Sequence, residues 1–230
     1  MTKQLYDYWF VQFDFPNEEG KPYKSSGGAM KWSNELNTFI PSDWNAVKMA
    51  DVLDKYPTTR KLDTKEYLER GLYPVIDQGD KYIVGYTNTQ ADVLDRFPAV
   101  LFGDHSTKVK FLNFGFARGA DGTQILYSKN PNIKPYYLYC AVLNLNIPNT
   151  GYSRHFKYLK ELYIIEPSNA IAKAFQEIVE PNYMAWTNNV FANVELQRQR
   201  DELLPLLMSG QVSVTQLNYH LSVFFTACGL

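Results

Sequence analysis

Short apolar runs alternate with turn-forming residues through the middle of the chain. Six runs have the length and the β-branched or aromatic content of strands: residues 73–76, 82–86, 99–102, 109–111, 124–127 and 162–165. Glycine, asparagine and aspartate between these runs favour turns. Pro135 fits the first position of a helix over residues 136–146. The pattern predicts a mixed α+β domain over residues 41–167.

A helical pattern begins after Ser168, which is suited to a helix N-cap. The predicted stripe contains Val179, Tyr183, Trp186, Val190, Asn193, Leu196 and Leu203. Ser209-Gly210 is a suitable end, whereas Pro181 and Pro205 are expected to interrupt or disturb the helix. We therefore predict a long helix within residues 168–210, roughly 25 to 30 residues in length and about 40 Å long.

Two interpretations of the helical stripe remain open. It packs against the chain's own domain, or it pairs with the helix of a second copy. Asn189, Asn193 and Gln197 lie near the stripe, and polar residues in a helical seam fix its register. Pairing with a second copy is therefore favoured, and residues 211–230 are left as a C-terminal tail without an assigned role.

The N-terminal 40 residues are dense in aromatic side chains. Tyr6, Trp9, Phe10, Phe13 and Phe15 lie within ten positions of one another, and a turn-rich stretch follows them. A segment this short cannot bury so many rings by itself. We expect residues 1–40 to dock on the helical layer, although simple filling of the core predicts nearly the same contacts.

Charge is distributed unevenly although the 230-residue chain carries a net charge of only −1. Between His105 and Lys160, eight Lys/Arg face one acid, Asp121, which gives +7 in this stretch and leaves −8 for the rest. A local positive field selects anionic partners even in a neutral protein. Nucleic acid is the first candidate.

The sequence offers little support for catalysis or for metal binding. Cys140 and Cys228 match no metal spacing, and the chain contains no phosphate-binding glycine loop and no dinucleotide fingerprint. Asp104-His105-Ser106 is adjacent in sequence, whereas catalytic triads assemble from separated positions, so a tight turn is the simpler interpretation. The start lacks a signal peptide's apolar stretch and no run reaches 18 apolar residues. We expect a cytoplasmic protein without cofactor, metal or membrane contact.

Two alternatives stay open at this point. Asp63-Thr64-Lys65 and Glu19-Gly20-Lys21 have the carboxylate-x-Lys form found in metal-dependent nucleases, although such short strings arise often by chance. The second alternative is an assembly scaffold whose helix binds proteins and whose globular part has lost its function.

Five segments together resemble the specificity subunits of type I restriction-modification systems. Residues 6–16 with 20–28 resemble the family's linker. Residues 73–79 and 103–106 resemble two signatures inside its target recognition domain, residues 151–160 resemble the segment that closes that domain, and residues 200–210 resemble the end of its helix. The five occur in the family's order and span nearly the whole chain.

The resemblance implies a half subunit that recognises double-stranded DNA and performs no chemistry. Family members usually carry two recognition domains and two long helices, whereas this chain has material for one of each. The implied partners are a second copy, the modification (methyltransferase) subunits and, through the complex, the restriction and translocation subunit. A two-fold symmetric dimer would recognise symmetric half-sites separated by a gap.

The expected DNA-binding residues combine cations for phosphates with polar loop residues for base edges. The cationic and neighbouring candidates are Lys81, Lys108, Lys110, Arg118, Tyr152, Arg154, His155 and Lys157. The loop candidates are Thr87, Asn88, Thr89 and Gln90, because asparagine and glutamine can bond adenine through two atoms. Taken singly, each of these residues is better explained as a solvated charge or an ordinary turn, whereas for the basic patch as a whole the resemblance favours DNA contact.

Overall fold

The computed structural model describes residues 2–55, 59–119, 121–147 and 154–211. The chain divides into two compact units, residues 1–181 and residues 182–230. The helices are α1 (Thr2–Tyr6), α2 (Met49–Val52), α3 (Pro135–Asn144), α4 (His155–Glu161) and α5 (Asn169–Met208). A π-helical turn (Asp7–Val11) and two 3₁₀ turns (Thr64–Glu66 and Gln90–Asp92) complete the described helical segments.

Twelve short strands in the described residues form four sheets. In chain order they are β1 (Met30–Ser33), β2 (Thr38–Pro41), β3 (Asn45–Lys48), β4 (Lys61–Leu62), β5 (Tyr73–Ile76), β6 (Gly85–Thr87), β7 (Val93–Leu94), β8 (Ala99–Gly103), β9 (Val109–Leu112), β10 (Phe116–Gly119), β11 (Thr123–Leu126) and β12 (Tyr163–Glu166). Strands β1 and β2 form a hairpin, and β3 pairs with β12. A three-stranded antiparallel sheet has the order β11-β8-β9.

The largest sheet has five strands. Four of them have the order β4-β10-β5-β6, and β7 also pairs with β10. Strand β10 runs parallel to β4 and β5 and antiparallel to β7. The buried residues Ile76, Leu101 and Phe116 belong to one core cluster that joins this sheet to the three-stranded sheet. Loops that follow β5, β8 and β10 are therefore anchored on a common core.

The predicted mixed α+β fold with a long C-terminal helix is confirmed. The strand predicted over residues 82–86 is observed over Gly85–Thr87, so it is shorter and begins three residues later. Tyr82 lies before it and donates its hydroxyl to Phe111 O at 2.5 Å. The other predicted strands lie within one residue of those observed at each end. The helix after Pro135 ends at Asn144, two residues earlier than predicted.

The aromatic N-terminal segment packs inside the first unit. Phe10 is 1% exposed, and its ring lies 4.7 Å from that of Tyr137 in α3 and 5.0 Å from that of Phe175 in α5. It also contacts Trp44, which is fully buried. Edge-to-face pairs of this kind add to the burial of apolar area. The segment thus docks on helices α3 and α5, as its composition predicted.

Helix α5 contains 40 residues and is longer than predicted. Pro181 and Pro205 lie within it without ending it, contrary to the expected interruption. A proline removes only its own backbone N–H donor, and the helix continues on both sides of Pro181. The helix ends before Gly210, whose φ of +70° favours glycine at a C-terminal cap.

Candidate nucleic-acid interface

Three of the sequence motifs meet at one place in the first unit. The segments that meet are the loop 77–81 after β5, the turn 104–108 after β8, the turn 121–122 before β11, and residues 154–157 at the start of α4. We call these four segments the turn cluster. Hydrogen bonds between them, rather than sequence proximity, bring them together.

Gln78 joins three of the four segments. Its Oε1 accepts a hydrogen bond from His105 N at 3.0 Å, and its Nε2 donates to Asp121 O at 2.7 Å. Its backbone carbonyl accepts a hydrogen bond from Ser106 Oγ at 2.8 Å. Both side-chain atoms and the backbone of one residue therefore fix the loop 77–81 against two other turns.

Asp104 joins the same turns to α4. Its carboxylate Oδ1 accepts a hydrogen bond from Phe156 N at 2.8 Å, and its carbonyl accepts one from His155 N at 2.8 Å. Its own N–H donates to Gly122 O at 2.7 Å. The Asp104-His105-Ser106 string thus forms a turn that bonds backbone amides, as predicted, and its side chains do not form a triad.

His155 is fully buried beneath the turn cluster. Its exposed fraction is 0%, and its Nδ1 lies 2.9 Å from Asp104 O. Arg154 and His155 were both predicted to contact DNA. The structure divides them, since His155 lies inside whereas Arg154 is exposed.

The accessible face of the turn cluster carries several cations and two exposed carboxylates. Arg154 and Lys157 are exposed, and Lys108, which is 40% exposed, forms an ion pair with Asp80. Hydrogen bonding to Lys108 lowers the pKa of the Asp80 carboxyl below its usual value. Lysine and arginine in this arrangement can bind phosphate oxygens.

Asp121 is the second carboxylate on this face. It pairs with Lys61 at 3.0 Å, and that hydrogen bond lowers the pKa of Asp121, with smaller contributions from Arg154 and His105. Lys61 belongs to β4 and was not among the predicted residues. It lies outside the basic stretch between His105 and Lys160 that directed the prediction.

Two predicted phosphate ligands, Lys110 and Arg118, are buried and require correction. Each is 8% exposed. Lys110 Nζ donates to Lys81 O at 2.5 Å, and burial lowers its pKa. Burial also lowers the pKa of Arg118, whose guanidinium donates to Thr59 O. Because both cations are buried and donate to backbone carbonyls within the fold, they do not belong to the candidate interface. Lys81 keeps an exposed side chain.

The predicted base-reading loop lies beside a different segment. Asn88, Thr89 and Gln90 are exposed, whereas Thr87 is buried at 5% and accepts a hydrogen bond from Thr89 N through its Oγ1. Asn88 Oδ1 accepts a hydrogen bond from Leu72 N at 2.9 Å. Its carbonyl oxygen is thus already engaged, and Thr87 is withdrawn from the candidate interface. Tyr152 lies outside the described residues.

The residues predicted for helix pairing separate into two groups along α5. Val179 is 1% exposed and belongs to the core of the first unit, with Ala172 and Phe175 on the same face, so it is removed from the pairing stripe. Further along the helix Trp186, Asn193 and Leu196 are exposed. Tyr183, Val190 and Leu203 are partly exposed.

The two nuclease-like strings have structural explanations. The Asp63 carboxylate accepts a hydrogen bond from Lys65 N, and Glu66 accepts one from Asp63 N, which completes a capping box at a 3₁₀ turn. Glu19 and Lys21 form an ion pair with each other. Within the described ranges, no group of three or more His, Cys, Asp and Glu side chains could hold a metal ion.

No helix among the described residues combines the length and apolar character needed to cross a membrane. No family model matches the chain. A curated relative, the type I restriction enzyme MjaIX specificity subunit of Methanocaldococcus jannaschii, is 24% identical over 93% of this chain and 52% of its own length. The chain thus spans about half the length of this relative.

Solved structures similar to this chain include two specificity subunits. One is the type I restriction-modification S subunit from M. genitalium, with 18% identity, a TM-score of 0.48, and coverage of 71% of this chain and 45% of that one. Another is the HsdS subunit from Thermoanaerobacter tengcongensis, with 15% identity, a TM-score of 0.44, and coverage of 91% and 51%. The sequence match alone covers nearly all of this chain, and the chain is therefore similar to the specificity subunits of type I restriction enzymes, which confirms the resemblance found in its motifs.

Proposed function

We propose that this chain recognises a specific DNA sequence as part of a type I restriction-modification complex and performs no chemistry itself. The observation that carries the proposal is the turn cluster. Motifs shared with specificity subunits converge there, and the cations Lys108, Arg154 and Lys157 lie on its accessible face. Phosphate contacts from such cations fix a protein's position on the duplex, and neighbouring polar loops contact the bases.

The partners follow from the same assignment. Methyltransferase subunits would bind the chain and modify the selected site, and the restriction and translocation subunit would join through that complex. Such a complex would act on DNA in the cytoplasm. In the proposed complex, two copies of this chain pair with each other.

Pairing of the copies would use the second part of α5. Trp186, Leu196 and Leu204 are all more than 40% exposed there. Large apolar side chains repeated along an exposed helix are typical of a helix–helix interface. A symmetric dimer would place two turn clusters on one duplex and would select an inverted repeat with a fixed spacer.

Neither alternative function has a supporting observation. The carboxylates of the two nuclease-like strings are engaged in a capping box and in an ion pair. A pure scaffold would have no use for cations grouped on the accessible face of the turn cluster.

Domain boundaries at residues 40, 167 and 210 remain a prediction.

Charge reversal within the turn cluster tests the proposed function. We expect Lys108→Glu with Arg154→Glu to weaken binding to every duplex by about tenfold or more and to lower the slope of log affinity against log salt by about 2, because two phosphate contacts are lost. Fluorescence anisotropy with labelled duplexes measures both quantities.

Lys21→Glu is the matched control. Lys21, like Lys108, is an exposed lysine that forms an ion pair with a carboxylate, but it lies in the N-terminal turn region. We expect this variant to bind DNA as the wild type does. Equal affinity and equal slope in the double variant would remove the turn cluster as the DNA surface.

A further inference from the structure

We propose that Gln78 is a positioning residue for DNA binding: its carboxamide holds the cationic side chains of the turn cluster in one arrangement that matches the phosphates. The inference rests on the proposed function, since the turn cluster is the surface it organises. Gln78 itself need not touch DNA. It would act through Lys108, Arg154 and Lys157.

The carboxamide is used at both ends. The oxygen accepts from His105 N at 3.0 Å, and the nitrogen donates to Asp121 O at 2.7 Å. These partners belong to two different turns, one after β8 and one before β11. The two turns are already joined by the Asp104 N to Gly122 O bond, and the Gln78 carboxamide ties the loop 77–81 to both of them.

The two turns are shaped to seat this side chain. A Cβ atom placed on Gly103 would lie 2.9 Å from Gln78 Cβ, and one placed on Gly122 would lie 2.5 Å from Gln78 Nε2. Contacts this short would require the glutamine to move. Gly122 also has a φ of +83°, which favours glycine. Gly122 thus leaves space that Gln78 and His105 fill, and Gly103 leaves space for both Ser106 and Gln78.

The loop that carries Gln78 is held in place by further contacts. Lys110, inside the domain, donates to Lys81 O and lies 3.8 Å from the Asp77 carboxylate. Asp77 also accepts a hydrogen bond from Gly79 N at 2.7 Å. On the accessible side Asp80 pairs with Lys108. Burial lowers the pKa of Lys110. Its contacts with Asp77 and Lys81, at the two ends of the loop, hold the backbone on both sides of Gln78 in place.

The connection continues from Gln78 to α4. His105, whose amide bonds to Gln78, directly follows Asp104, which bonds to the backbone of His155 and Phe156. Arg154 precedes these two residues and Lys157 follows them. A shift of the turn 104–108 would therefore move Lys108 directly and would move Arg154 and Lys157 through α4.

The variant Gln78→Met tests the inference, since methionine has similar length and shape but lacks both hydrogen bonds. We expect DNA affinity to fall by about tenfold and the slope of log affinity against log salt to decrease in magnitude by about 1 to 2. The reason is that one or two of the cations would no longer lie opposite phosphates. Gln78→Glu keeps the acceptor for His105 N but puts a carboxylate oxygen against Asp121 O and a negative charge among the cations, so its loss of affinity is expected to be at least as large as that of Gln78→Met.

Asn132→Leu is the matched control. Asn132 also bridges two segments through its carboxamide, donating to Glu166 Oε1 at 3.1 Å, but it lies outside the turn cluster. Its loss is expected to leave DNA affinity and salt slope unchanged. Thermal unfolding of all variants by circular dichroism separates a binding defect from a loss of folded protein.

A double-mutant cycle separates positioning from general destabilisation. If Gln78 acts through the cations, Gln78→Met should weaken binding less than about twofold further in a variant that already carries Lys108→Ala, Arg154→Ala and Lys157→Ala. A full additional tenfold loss there, or wild-type affinity of Gln78→Met alone, would overturn the inference and leave the proposed function intact. Absence of DNA binding by the wild type would instead overturn the proposed function.

Discussion

The two ends of helix α5 use the same kinds of residues in opposite ways. Within the first unit, Ala172, Phe175 and Val179 are all buried, and the Phe175 ring packs against the aromatic N-terminal segment. In the second unit, Leu196 is 60% exposed and Leu204 is 50% exposed. The change occurs where the two compact units divide, at Pro181.

This difference shows what an apolar stripe on one helix can mean. The first part of α5 is stabilised by packing within its own unit, so its apolar residues contribute to folding. The second part gains its local stability from pairs such as Arg198 with Glu195 and Glu202. The exposure of Leu196 and Leu204 is the basis of the proposed pairing.

The largest expected effect lies in the first part. Phe175→Ala should lower the free energy of unfolding by about 3 to 5 kcal/mol, because the ring is fully buried among Tyr6, Trp9 and Phe10. Urea unfolding followed by tryptophan fluorescence measures this change. A loss below about 1 kcal/mol would mean that this end of the helix is not packed as described.

The next effect belongs to the second part. Leu196→Ala with Leu203→Ala should raise the dimer dissociation constant by about 100-fold, or about 2.7 kcal/mol, and leave unfolding of the first unit nearly unchanged. Sedimentation equilibrium reports the dissociation constant. Leu72→Ala, at a leucine 74% exposed in the first unit, is the control and should leave it unchanged. A variant that remains dimeric would break the comparison.

The smallest effect concerns a short polar string in the first unit. Asp63→Ala should cost about 1 kcal/mol of unfolding free energy, because the capping box is lost at one 3₁₀ turn. DNA binding should not change. Magnesium-dependent DNA cleavage by the wild type, abolished in this variant, would instead support the nuclease alternative.

Much of the fold could be predicted from local patterns. Strands such as β8 and β9 are short apolar runs between turn residues, and these boundaries depend on nearby chemistry. The length of α5 could not be predicted in this way, because the expected effect of Pro181 ignored the packing of Phe175 and Val179. The helix continues through both Pro181 and Pro205.

The candidate site was less predictable, because a count of charges does not say which face of a strand bears them. Lys110 and Arg118 raised the charge of the basic stretch, yet both side chains point into the fold. Gln78 was visible within a motif, but its role depends on His105 and Asp121, which are 27 and 43 positions away. Only the folded chain brings these partners together.

Selection of duplexes from a random-sequence pool tests the central claim most directly. The purified chain, with methyltransferase subunits added, is incubated with the pool, and bound duplexes are sequenced. Our account predicts enrichment of one half-site in two inverted copies at a fixed spacing, with the DNA left intact when the chain is used alone. Failure to enrich any sequence, or cutting or methylation by the chain alone, would contradict it.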